Sequence, residues 1–148
     1  MNVSAVLIVK DEEKRLQQCL ESLSWATEII VLDSGSSDNT INIANQYTKH
    51  VYVTEDWPGF GLQRQAAQRY ASCDWVFTID ADEVVTTELQ KSIQEIVKNN
   101  DQTKVCQVNR KNWAFGRFIN HSGWSPDWVV RLYPREKTTY CDSLVHES

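Results

Sequence analysis

Two carboxylates one residue apart, Asp80 and Asp82, close the apolar stretch Phe77-Thr-Ile-Asp-Ala-Asp-Glu83. Hard divalent cations such as Mg2+ or Mn2+ prefer oxygen ligands and leave positions open for phosphate oxygens, so acids at a strand end can hold such an ion directly or through water. Taken alone, the pair reads equally well as a strand terminus followed by a turn, and its weight depends on its surroundings. A second strand end, Val31-Leu-Asp-Ser-Gly-Ser-Ser-Asp-Asn-Thr40, places Asp33 before a Gly-Ser turn and a helix start. A carboxylate there can accept hydrogen bonds from a base or a ribose. The plainer reading is a helix capped by Ser37 or Asp38. A third stretch, Gly59-Phe-Gly-Leu-Gln-Arg-Gln65, sets the Arg64 guanidinium near the start of a helix, where it could pair with a diphosphate. An exposed arginine on a helix is the commoner use of that residue.

These groups need a frame that brings them together. Val3 to Val9 is an apolar run ending at Lys10-Asp11, and Leu16, Cys19, Leu20 and Leu23 then recur at helical spacing. The unit repeats: residues 28–32 are apolar up to Asp33, and Ile41, Ala44, Asn45 and Thr48 mark helix faces after it. Residues 50–53 predict a third strand, residues 62–71 a helix opened by the Trp57-to-Gly61 loop, and residues 74–79 a fourth strand. A helix from about Thr87, with Thr87 and Gln90 at capping-box spacing, runs to a stop at Asn99-Asn100. Strands alternating with helices imply an α/β fold, a mostly parallel central sheet with helices on both faces, whose strand C-termini share one rim where ligands bind. The polar residues 10–11, 33–37 and 80–83 all fall on that rim. Beyond Lys104 the pattern changes to strand-like pieces, residues 104–112 and 129–133, separated by a stretch rich in Trp and Gly.

The chain has 148 residues, 41% of them hydrophobic and 24% charged, which predicts one globular domain over 1–148. Residues 1–103 carry 8 Lys+Arg against 16 Asp+Glu, and residues 104–148 carry 7 against 4. That asymmetry argues against a nucleic-acid binder, because the acidic part repels phosphate unless a cation intervenes. The basic, aromatic segment suits sugars, phosphates or a membrane surface, or is a solvated face over an aromatic core. No apolar run approaches a membrane span and no leader is evident at the N-terminus, so a cytoplasmic protein is expected. Cys19, Cys73, Cys106 and Cys141 form no CxxC pair and are expected as reduced core thiols.

The order of these motifs, strand-Lys10-Asp11-Glu12, then VLDSGSSDNT, GFGLQRQAA and WVFTIDADE, resembles the inverting family-2 glycosyltransferases of the GT-A fold, a Rossmann-like nucleotide-diphospho-sugar transferase fold. Gly123-Trp-Ser-Pro-Asp-Trp-Val-Val-Arg-Leu-Tyr133 and Val145-His-Glu147 are further similar to the lipopolysaccharide inner-core β-1,4-glucosyltransferases of the WaaE/KdtX type. The resemblance implies that residues 1–103 form a nucleotide-sugar-binding half and residues 104–148 the start of an acceptor-side half, truncated at its C-terminus. It implies a UDP-sugar donor with Mg2+ or Mn2+: Asp33 at the uracil, Asp11 near the nucleoside, Arg64 by the diphosphate, Asp80 near ribose and metal, and Asp82 on the metal. Asp11 stands where members of the family often carry Asn, and Gln65 where many carry Asn. The implied acceptor is a lipid-linked or lipopolysaccharide-core saccharide, with peripheral contact at the inner face of the inner membrane.

Inverting transfer needs a carboxylate within reach of the acceptor hydroxyl. Asp127, which precedes Arg131 as an Asp precedes an Arg in the family, is the favoured base, and Glu147 is the runner-up; either could instead be a surface acid paired with an arginine. His121 is given no ligand role, and His146 only a weak one beside Glu147. Two other readings compete. A phospho-acceptor receiver domain would need its paired acids after the first strand, whereas here they follow the fourth. A non-catalytic nucleotide-sugar-binding fragment would keep the donor site without turnover.

Overall fold

The computed structural model describes residues 2–54, 59–100, 106–109 and 128–135. Its elements in chain order are β1 (Val3–Val9), α1 (Leu16–Glu21), β2 (Glu28–Asp33), α2 (Thr40–Asn45), β3 (His50–Val53), α3 (Phe60–Gln68), β4 (Trp75–Thr78), α4 (Thr87–Asn99), β5 (Cys106–Asn109) and β6 (Trp128–Pro134). The sheet order is β3-β2-β1-β4-β6-β5. β1 pairs in parallel with both β2 and β4, and β2 with β3, while β6 runs antiparallel to β4 and β5 antiparallel to β6.

The central strands β1, β2 and β4 are buried on both faces, and strand alternation divides the core in two. Val3, Ala5, Leu7 and Val9 of β1 join Trp75, Phe77 and the apolar stripes of α1 and α4 on one face. Val6, Ile30, Leu32 and Val76 meet Ala67 of α3 and Tyr133 of β6 on the other. The Tyr133 hydroxyl donates to Gln68 Oε1 of α3 at 2.8 Å, which satisfies the polar end of a ring that is 1% exposed.

The strand order reverses between β1 and β4, and such a reversal opens a crevice at the C-terminal ends of the strands. The segments that follow β1 and β4 therefore border the crevice. α4 starts at Thr87 as expected, but its cap lies one residue earlier: Thr86 is extended, and its hydroxyl accepts the Leu89 N–H at 3.1 Å. Thr87 is then the first helical residue, ahead of the buried stripe Leu89, Ile93 and Val97. Asn100 ends the helix in the left-handed region at φ 51°, a conformation that asparagine tolerates.

Candidate active site

The loops after β1 and β2 are tied together by side chains that bond to backbone. Asp33 is fully buried, and one of its oxygens accepts the N–H groups of Gly35 at 2.8 Å and Ser36 at 2.7 Å. The other accepts the Ser36 hydroxyl. Gly35 sits at φ 103°, which favours glycine and lets the turn close on the carboxylate. Asp11 is held at φ 53°, where Asp and Asn are the tolerated non-glycine residues, and its carboxylate accepts the Ser37 N–H at 2.8 Å. Its own N–H donates to the Ser36 hydroxyl at 2.7 Å. Either Asp or Asn can make the Ser37 contact, which gives a physical reason for the exchange between them at this position. The Glu12 N–H reaches the Thr40 hydroxyl at 2.8 Å. The cap of α2 is Asn39 rather than Ser37 or Asp38, and Asn39 makes no side-chain cap bond; Asp38 instead accepts the Thr40 N–H at 2.9 Å.

The tip of β4 is built differently. Arg64 enters from α3 and Arg131 from β6, on the face they share, and both are buried, at 8% and 2% exposure. Arg64 is thus not the exposed helical arginine that is common on such a surface. Its Nη2 lies 2.9 Å from Asp80 Oδ1, and Arg131 Nη2 lies 3.4 Å from Asp80 Oδ2. Glu83, also buried, pairs with Arg131 at 3.1 Å and accepts the Asp80 N–H at 2.8 Å. Two guanidinium groups thus balance two carboxylates. Burial raises the Asp80 pKa, but the Arg131 and Arg64 charges and hydrogen bonds outweigh it and hold the carboxyl below its ordinary value. Burial pushes Glu83 above its ordinary value, with Arg131 pulling the other way and the Asp80 charge adding to the rise.

Asp82 lies outside that balanced cluster. Its side chain is half exposed, and Arg15, itself 67% exposed, stands 3.6 Å away. Glu12 registers the excess charge at this rim: burial first and the Asp82 charge second raise its pKa, Arg15 opposes, and Asp80 and Asp38 add to the rise. Among the described residues no group of three His, Cys, Asp or Glu side chains could enclose a metal ion. The donor set still fits a hard cation that takes one or two carboxylate ligands and completes its shell with phosphate oxygens and water. Asp82 is the more exposed of the two acids and could supply such a ligand, whereas both Asp80 oxygens already face guanidinium groups.

A protein-family model, glycosyl transferase family 2, matches residues 4–146. This chain belongs to that family. Among curated relatives, it is 32% identical to the lipopolysaccharide core biosynthesis glycosyltransferase LpsC of Rhizobium meliloti, over 98% of this chain and 56% of that protein. It is 36% identical to an uncharacterized glycosyltransferase of Rickettsia typhi, over 96% of this chain and 49% of that one. The chain therefore spans about half the length of these relatives. Among solved structures, S. aureus TarS 1–349 in complex with UDP superposes with a TM-score of 0.67 at 22% identity, over 91% of this chain and 47% of that one. Glucosyl-3-phosphoglycerate synthase from Mycobacterium tuberculosis, in complex with Mg2+ and UDP, superposes with a TM-score of 0.55 at 27% identity, over 65% of this chain and 39% of that one. The fold is the GT-A fold of these glycosyltransferases, as the motif order implied.

Of the residues singled out from the sequence of this family 2 member, Asp11 and Asp33 stand on the wall after β1 and β2, and Asp80 and Asp82, with Arg64 against Asp80, on the wall after β4. Asp127, Glu147, His121 and His146 lie outside the described residues. Glu83 and Arg131 were not singled out for the donor side, although both stand in the quoted motifs. The available signal was their charge: an acid directly after the Asp80-Ala-Asp82 motif and an arginine inside an apolar strand both ask for a buried partner.

Proposed function

We propose that this chain carries the donor site of a transferase that moves a hexose, glucose in our reading, from a UDP-sugar to a saccharide of the lipopolysaccharide inner core. The observation that carries the reading is the half-exposed Asp82 beside the charge-balanced Asp80 cluster, at the strand reversal of a family 2 fold. The lipopolysaccharide core assignment of LpsC supports the acceptor class, and the Mg2+ and UDP in the mycobacterial synthase support the donor and the cation. The proposed setting is cytoplasmic, peripheral to the inner membrane; among the described residues no helix is long and apolar enough to cross a membrane.

The proposed reaction is an inverting displacement, in which an acceptor hydroxyl attacks the anomeric carbon as UDP leaves from the opposite face. Bound Mg2+ or Mn2+ would supply positive charge for the leaving diphosphate. Asp82 would hold that ion, and Arg64 would keep Asp80 oriented while adding positive potential beside the diphosphate. The Asp33 and Asp11 loops would present a preformed surface to uracil and ribose. Asp127 would take the acceptor proton, with Glu147 as the alternative base.

Calorimetry against UDP-glucose, UDP-galactose, UDP-N-acetylglucosamine and GDP-mannose, each with and without Mn2+, tests the donor class. UDP-glucose in the presence of Mn2+ should bind tightest, and preference for GDP-mannose would refute the uridine reading. Asp127→Asn should bind donor as the parent does and lose transfer; full transfer by that variant would remove Asp127 from the role.

A further inference from the structure

We propose that Glu83 and Arg131 are positioning residues that hold the Asp80–Asp82 turn in the geometry that accepts a cation, an inference that rests on the donor-site reading above. Glu83 clamps the turn at both ends: its N–H donates to the Asp80 carbonyl at 3.0 Å, and its Oε1 accepts the Asp80 N–H at 2.8 Å. The backbone between these two contacts carries Asp82. A carboxylate so placed must itself be fixed, and Arg131 fixes it from two sides, with Nη1 at 3.1 Å from Oε1 and Nη2 at 3.2 Å from Oε2. The same guanidinium donates to the Thr78 carbonyl at 3.3 Å and reaches Asp80 Oδ2 at 3.4 Å.

One buried planar fork therefore touches the end of β4, the first acid of the turn and the clamp on the turn. Arginine suits this task because its donors are rigidly arrayed, whereas a lysine would be a single flexible point charge. The register explains how it gets there. Leu132 of β6 pairs with Phe77 of β4, so Arg131 falls beside the strand end, where the parallel sheet gives way to the turn. Neither residue needs to touch the nucleotide. Their effect passes through the turn to Asp82, whose salt-bridge partner is the exposed Arg15.

The test is UDP affinity of the full chain, measured by calorimetry with and without Mn2+, for the parent and for Glu83→Gln. Glutamine keeps an acceptor for the Asp80 N–H and loses the charge that orients Arg131. The positioning role predicts UDP affinity without Mn2+ within about 3-fold of the parent, and a loss of about 10-fold or more in the gain that Mn2+ confers, ~1.4 kcal/mol. A purely structural role would lower both affinities together or leave both unchanged, and either result overturns the proposal. If Glu83→Gln does not fold, the double variant Glu83→Gln/Arg131→Met, which leaves neither of the two charges unpaired with the other, carries the same two outcomes. Failure of both variants to fold also overturns it, because the pair would then serve folding. A parent that binds no UDP, or binds it regardless of Mn2+, would sink the donor-site reading itself and is recognised before any variant is made.

Discussion

The two walls of the crevice rim solve the same problem, holding acids at the ends of the strands, by different means. On the wall after β1 and β2, Asp33 and Asp11 are satisfied by N–H groups and a hydroxyl of residues 35–37. On the wall after β4, Asp80 and Glu83 are satisfied by arginines brought from α3 and β6. The first arrangement fixes the shape of a loop through short-range contacts and leaves its fully buried carboxylate with no face to solvent. The second fixes a turn through buried charge and leaves Asp82 outside, half exposed. Shape on one side and charge on the other should respond to different perturbations.

The largest effect is expected from Arg131→Met. It strands Glu83 and half of the Asp80 interaction in the interior, and breaking a buried pair from one side costs about 3–5 kcal/mol, to be read as a drop in urea unfolding free energy. Next comes Asp33→Ala, which leaves the Gly35 and Ser36 N–H groups without their acceptor and should cost about 1–3 kcal/mol. The contrast between the walls predicts more than stability. Asp33→Ala should weaken UDP binding by a similar factor with and without Mn2+, and a loss confined to the Mn2+ condition would erase the distinction between the two walls.

A smaller effect follows from pH. Because Asp80 is held below its ordinary value of 3.8, its ion pairs contribute stability that is fully present above that value and is lost as pH falls through the lower, folded-state value. Stability measured from pH 6 down to pH 2.5 should therefore fall less steeply in Asp80→Asn than in the parent below about pH 4. Parallel curves would show that the arginines do not favour the ionised carboxylate.

Much of the first wall was legible in the sequence, and little of the second. The apolar run Val3–Val9 and the strand-end position of Asp33 announce themselves locally, and a Gly-Ser turn after an acid is a short-range signal. The motif Asp80-Ala-Asp82 was equally visible, and the resemblance gave its acids different roles, but the inequality of their pairing was not visible. That inequality depends on Arg64 turning inward from α3 and on β6 pairing antiparallel with β4, a choice of topology that strand periodicity does not encode. The helix start shows the limit at smaller scale: Thr86 and Thr87 are both capable caps, and it is Thr86 whose hydroxyl accepts the Leu89 N–H.

The central claim, that Asp82 is the carboxylate through which a cation draws the diphosphate into an acidic rim, is tested most directly by titrating UDP into the parent and into Asp82→Ala, each with and without Mn2+. The account predicts that Mn2+ tightens UDP binding to the parent by about 10-fold or more, ~1.4 kcal/mol, and leaves the variant unchanged. Equal tightening by Mn2+ in both proteins would contradict it.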